Sequence, residues 1–300
     1  MGYTLNLDER QVKILMEKLK PYTASPTNNY TLFLAKYNTS TVTIYKTMTV
    51  LIQGKDEYDS YIEFCHLLNI EPVVKKEKVV HVDNTVIKSI IGTDEVGTGD
   101  FFGGIVVAGA MVAKENISYI KQLGVRDSKE LTDHKIMQIA PLIEACVPHY
   151  FYSLDNLKYN YLVTQYKLNM NHIKSLMHNT VILNMKKIVS NYDAIIIDGF
   201  TSQANYFNYL KTEKNVAEDA ILEEKAENKY LSVACASIIA RYEFLKQLDD
   251  LSNKTGYELP KGAGRPVDAL IKRIYVEKGL NYFKNIAKTN FKNLELYKNQ

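Results

Sequence analysis

Ile90-Ile91-Gly92-Thr93-Asp94-Glu95-Val96-Gly97-Thr98-Gly99-Asp100 ends an apolar run in two adjacent carboxylates, followed by a glycine-rich turn. Val86 to Ile91 is β-branched enough to predict a buried strand. Burying an unpaired charge costs several kcal/mol, so packing alone does not account for two acids at a strand tip. A divalent cation removes that cost, and oxygen donors suit Mg2+ or Mn2+. The glycines behind the acids would let backbone amides approach a phosphate. The competing reading is a surface turn with solvated acids.

A second segment, Tyr192-Asp193-Ala194-Ile195-Ile196-Ile197-Asp198-Gly199, is again a short apolar run closed by an acid and a glycine. Strand ends hold such groups rigidly while the adjoining loops stay open to a substrate. A third, Lys225-Ala226-Glu227, precedes a long helical pattern from Ser232 to Asp250. Four acids from three segments could hold two metal ions for phosphoryl-transfer hydrolysis.

Gly92 to Gly99, Asp127-Ser128-Lys129-Glu130-Leu131, Ile197-Asp198-Gly199, Lys225-Ala226-Glu227 and Val233-Ala234-Cys235-Ala236-Ser237-Ile238-Ile239-Ala240 together resemble the type 2 ribonucleases H, in residues and in order. Thr98 stands between the glycines where the HII subtype carries arginine, and Glu227 stands where it carries aspartate. Leu259-Pro260-Lys261-Gly262-Ala263-Gly264 also looks like the HIII pattern. The resemblance implies a ribonuclease-H-like α/β domain with a mixed five-stranded sheet over 86–300. It also implies that Asp94, Glu95, Asp198 and Glu227 are the metal ligands and catalytic acids, using Mg2+ or Mn2+, two ions with substrate bound. Gly97, Thr98 and Gly99 would contact the minor groove, where the 2′-hydroxyl marks RNA. Ser128 and Lys129 would contact substrate phosphate; the plainer alternative for Asp127 or Ser128 is a helix cap.

Residues 1–72 read as a separate unit. Asn6 with Glu9 predicts a capping box, and Val12, Leu15, Met16 and Leu19 form one apolar helical stripe. Pro21 to Asn29 is rich in turn formers. Thr31–Lys36, Thr41–Lys46 and Met48–Ile52 read as three strands, and Tyr58, Tyr61, Ile62, Cys65 and Leu68 mark a second helix. The unit resembles the small α+β TATA-binding-protein-like domain of the HIII enzymes, which implies a grip on the hybrid duplex rather than a passive cap. Residues 73–85 are expected to be a linker, with Lys75, Lys76 and Lys78 as solvated charges.

In the larger part, Phe101 to Met111 is expected to hairpin onto the first strand, and a helix to start near Thr132. Asn171 to Ser190 predicts a helix burying Ile173, Leu176, Met177, Val181, Met185 and Ile188, with His172 and His178 as polar surface groups rather than ligands. Lys261, Arg265, Lys272 and Arg273 form a basic cluster expected to face phosphate.

The 300 residues suffice for one large and one small domain, and 46% hydrophobic content supports a core. A net charge of +3 is too small to argue nucleic-acid binding from bulk charge. Three scattered cysteines, Cys65, Cys146 and Cys235, predict reduced thiols and a cytoplasmic enzyme. The start shows no signal-peptide pattern. Phe101 to Ala113 is short of the about 20 residues a membrane helix needs, so no membrane partner is expected. The dinucleotide fingerprint fails because Gly103 falls one place late, and no GxSxG, HExxH or P-loop occurs. Adjacent acids on one strand do not flank a sugar as glycosidase carboxylates do. The reading is a monomeric, metal-dependent endonuclease that hydrolyses the RNA strand of RNA–DNA hybrids, leaving 3′-hydroxyl and 5′-phosphate ends. Its rivals are incision at single ribonucleotides in DNA and a non-catalytic hybrid-binding protein.

Overall fold

The computed structural model describes residues 3–25, 29–54, 57–71, 89–125 and 131–298. The chain separates into two compact units, Met1–His81 and Val82–Gln300. The expected 73–85 linker, with Lys75, Lys76 and Lys78, lies outside the described residues.

The first unit runs β1 (Tyr3–Asn6), α1 (Glu9–Leu19), β2 (Thr23–Ala24), β3 (Thr31–Tyr37), β4 (Ser40–Tyr45), β5 (Thr49–Gly54) and α2 (Glu57–Leu67). Its sheet has the order β1-β5-β4-β3-β2, antiparallel throughout. Alternation along β4 and β5 buries Val42, Ile44, Val50 and Ile52. Val12, Leu15 and Leu19 of α1 and Phe64 and Cys65 of α2 complete that core. Two corrections follow. The sheet has five strands rather than three, because β1 and β2 are too short to show a period and exist only by pairing with β5 and β3. The capping box is not Asn6 with Glu9: Asn6 pairs with Thr49, and Asp8 caps α1 reciprocally with Gln11.

The second unit carries β6 (Ile90–Val96), β7 (Ile105–Met111), α3 (Ile117–Gln122), α4 (Asp133–Glu144), β8 (His149–Leu154), α5 (Asn156–Gln165) and α6 (Met170–Ile188). After these come β9 (Ala194–Asp198), α7 (Gln203–Leu210), β10 (Ala220–Glu223), α8 (Leu231–Thr255), α9 (Arg265–Lys278) and α10 (Phe283–Ile286). The sheet is mixed and five-stranded, in the order β10-β9-β6-β7-β8. β6 lies parallel to β9 and antiparallel to β7. One core packs Ile91, Val107, Ile195 and Ile197 against Ile173, Met177, Val181 and Met185 of α6. The other packs Val106, Ala108 and Ala110 with Ala234, Ile238, Ile239 and Phe244 of α8.

Gly92 makes the second contact possible. A Cβ there would lie 2.6 Å from the Ser232 carbonyl carbon and collide with the Val233 amide, so the first turn of α8 meets bare backbone. The strand expected from Phe101 begins only at Ile105. Before it, positive φ at Gly97 and Gly103 turns the chain and buries Phe101 and Phe102 completely. Ile188, expected in the core stripe, is 50% exposed at the end of α6. Among the described residues, no helix is long and apolar enough to cross a membrane.

Candidate active site

A β-strand turns successive side chains to opposite faces, and that alternation decides where the adjacent acids go. Asp94 faces α8, where the Ser237 side chain favours its ionised form. Glu95 faces α6: Lys174 donates to its Oε1 at 2.8 Å, and His178 Nε2 lies 3.0 Å from its Oε2. The two carboxylates therefore straddle the strand instead of projecting side by side. Asp94 Oδ1 also accepts from the Glu95 amide at 2.7 Å.

β9 delivers the third acid. Thr93 pairs with Ile197, so Asp94 and Asp198 follow one step later on neighbouring parallel strands. The carboxyl ends of parallel strands are where α/β folds bind ligands. Glu223 of β10 pairs with Asp198 in turn. Lys225, at φ 55°, then reverses the chain into a single 3-10 turn, Ala226–Asn228. That reversal aims the Ala226 amide at Asp198 Oδ1, 2.7 Å away. It also buries Glu227, only 3% exposed, close enough to Asp198 to raise its carboxyl.

The electrostatics show that the four acids form one cluster. Burial, then the charges of Glu95 and Asp198, hold the Asp94 carboxyl well above the usual carboxylate range. Burial, then the hydrogen bond and charge of Glu227, push Asp198 up to about 7. Burial would raise Glu95 as well, but the His178 and Lys174 contacts outweigh it and hold Glu95 below its ordinary value. A desolvated, all-carboxylate set that repels itself fits a hard divalent cation, whose charge would relieve the crowding. Among the described residues no three acid, histidine or cysteine side chains close into a ready coordination shell.

The loop expected to touch substrate is partly described. Gly97 is buried at φ +98°, where a Cβ would lie 2.5 Å from the Gly104 carbonyl oxygen. Thr98 is half-buried, and Gly99 is exposed with open space on its side-chain side. Ser128 and Lys129 lie outside the described residues. Within the expected phosphate-facing cluster, Lys261 pairs with Asp133, and Arg273 pairs with Glu277 at 2.9 Å. Arg265 and Lys272 remain exposed to solvent.

One expectation is overturned. His178 is not a surface group but fully buried, hydrogen-bonded through Nδ1 to Thr93 Oγ1 at 2.8 Å as well as to Glu95. Sequence reading missed Thr93, Lys174, His178, Phe200 and Ser237. The available signal was Lys174 and His178 themselves, polar residues at i, i+4 beside the apolar stripe of α6.

Comparison with known proteins accords with this geometry. Residues 91–294 match the family model described as Ribonuclease HII, and residues 3–61 match one described as a domain of unknown function (DUF3378). The chain is 42% identical to the ribonuclease HIII of Streptococcus mutans, covering 97% of this chain and 95% of that protein. It is 40% identical to the ribonuclease HIII of Phytoplasma mali, covering 98% and 97% respectively. It is also similar to the crystal structure of Bst-RNase HIII in complex with Mn2+, with a TM-score of 0.70 and 34% identity, covering 100% of both chains.

Proposed function

This chain belongs to the ribonuclease HII family, in the subtype named ribonuclease HIII, and from that premise we propose that its four-acid cluster is a metal-dependent endonuclease centre. It hydrolyses the RNA strand of RNA–DNA hybrids and leaves 3′-hydroxyl and 5′-phosphate ends. The observation that carries this reading is the convergence of Asp94, Glu95, Asp198 and Glu227 from β6, β9 and the turn before α8, close enough to perturb one another's protonation.

These four residues hold the divalent metal, Mg2+ or Mn2+, two ions when the hybrid is bound. A bound divalent ion supplies a water of lowered pKa and neutralises charge developing on the phosphate. Asp94 and Asp198, on adjacent parallel strands, fix the acids without loop flexibility. The 97–99 turn offers the Gly97 and Gly99 backbone and the Thr98 hydroxyl to the minor groove. Ser128 and Lys129 contact substrate phosphate. The first unit, residues 1–72, grips the hybrid, and the protein acts as a monomer. Cys65 and Cys235, buried and free, support a reducing cytoplasmic setting.

The test is cleavage of a labelled RNA–DNA hybrid with Mg2+, Mn2+ or chelator, with wild type beside Asp94→Asn. Metal-dependent cutting of the RNA strand that nearly vanishes in Asp94→Asn is expected. Full activity in the variant, or activity in chelator, would overturn the assignment.

A further inference from the structure

Behind the acids stands a buried polar assembly that the hydrolytic reading does not use. Lys174 and His178, one turn apart on α6, each contact a different oxygen of Glu95, at 2.8 and 3.0 Å. Thr93 Oγ1 contacts the other ring nitrogen of His178 at 2.8 Å. The Phe200 ring closes the assembly: His178 stacks on it at 5.2 Å and 22°, and Lys174 Nζ sits 4.0 Å from its centroid. Phe200 lies two residues beyond Asp198, so the same ring adjoins the loop of the third acid.

The chemistry of the contacts fixes orientation. An ionised carboxylate only accepts, so His178 must carry a proton on Nε2 towards Glu95, while Thr93 Oγ1 holds the ring from its Nδ1 side. Two donors on two separate oxygens immobilise the carboxylate plane and use two of its about four lone-pair sites, leaving the others for a cation. Donors behind a ligating group typically sustain metal affinity by this kind of locking.

We propose that His178, with Lys174 and Thr93, is a positioning residue that holds the Glu95 carboxylate in one fixed orientation for a divalent cation. The inference rests on the metal-site reading above. Lys174 brings a full charge that also opposes a second positive charge, so removing His178, whose two ring nitrogens bridge Glu95 and Thr93, gives the cleaner test.

Mn2+ affinity of the full-length, substrate-free protein is measured by titration calorimetry, with thermal stability in chelator as a folding control. His178→Leu should bind Mn2+ on the order of 10–100-fold more weakly, the range typical for such outer partners. His178→Gln, which can still donate, should recover most of the loss. In a Glu95→Gln background His178→Leu should cause no further loss, because its effect passes through Glu95. If His178→Leu does not fold, Thr93→Val, which removes only a hydroxyl, should show a few-fold weakening in the same direction and again none in the Glu95→Gln background.

Unchanged or tighter Mn2+ binding in His178→Leu and Thr93→Val would overturn the proposal, as would equal loss with and without the Glu95 carboxylate. Asp94→Asn separates the two ideas. If it loses Mn2+ while His178→Leu does not, only the positioning role fails; if it also binds normally, the metal site itself is misassigned.

Discussion

Lys288 Nζ donates to the carbonyl oxygen of Gly103 at 2.6 Å from a side chain wholly closed off from solvent. A second bond, to the Asp100 carbonyl at 2.7 Å, ties the same ammonium to the start of that turn. The Gly262 amide donates to Asp100 Oδ1 at 2.6 Å, and the Gly103 amide to the Ile286 carbonyl. The turn that follows Gly97, Thr98 and Gly99 is therefore held by residues more than 150 positions later in the chain.

Burial pushes the Lys288 ammonium down to about 7 from an ordinary 10.5, against the nearby Asp100 charge. Between those values the unfolded chain binds one more proton than the folded one, so this residue's contribution to stability rises with pH. The stability of wild type relative to Lys288→Met should therefore improve by up to about 1.4 kcal/mol per pH unit above neutrality. Denaturant unfolding from pH 6 to pH 9 checks it, and a pH-independent difference would refute the buried-ammonium account.

Asp198 has the opposite sign. Its folded value is raised from 3.8 to about 7, so its contribution is fully present below 3.8 and is lost as pH rises through about 7. In chelator, melting temperature should fall across that window. Asp198→Asn should flatten part of the slope and melt higher than wild type at neutral pH, while abolishing cleavage. Mn2+ should restore wild type but hardly affect the variant. A slope unchanged by the substitution would mean that the acids do not repel one another as described.

Gly92→Ala should be costly despite its small size. The added methyl meets the backbone of Ser232 and Val233 rather than a flexible side chain, so the first turn of α8 must move away from β6. Overpacking of this kind typically costs about 1–3 kcal/mol. Because α8 carries Ser237 to Asp94, activity should drop further than stability predicts. Normal melting and normal kcat together would sink the close-contact argument.

Thr98 predicts substrate choice. It is short and uncharged and lacks the planar fork with which an arginine could reach a phosphate. Recognition should then need several consecutive ribonucleotides. Efficient cutting within an all-RNA strand and little or none at one ribonucleotide embedded in duplex DNA is expected, at equal enzyme and Mg2+. Comparable rates on both substrates would contradict it.

Removal of residues 1–72 should leave the chemistry of the cut unchanged but weaken hybrid binding, raising KM much more than it lowers kcat. Binding assays with labelled hybrid decide this. An unchanged affinity would make the first unit something other than a substrate grip.

Much of this was legible along the chain. Apolar runs ahead of Asp94 and Asp198 mark buried strands, although β6 continues past Asp94 to Val96 and Asp94 itself is buried. The apolar stripe of α6 needs only its own period to be read, and the motif order identifies the family. Short strands such as Tyr3–Asn6 are silent in sequence, since four residues carry no period and their state comes from pairing with Thr49–Ile52.

Sequence alone singled out Asp94, Glu95, Asp198 and Glu227 as the candidate acids, because residue type and a neighbouring apolar run are local properties. Only the tertiary structure decided their partners. The two-residue period of β6 turns Asp94 to α8 and Glu95 to α6, and α6 then supplies Lys174 and His178 from about 80 residues away. A histidine beside an apolar stripe reads as a surface group until the sheet it packs on is known. Whether such a group is solvated or buried against a carboxylate depends on the facing element, which no local pattern encodes.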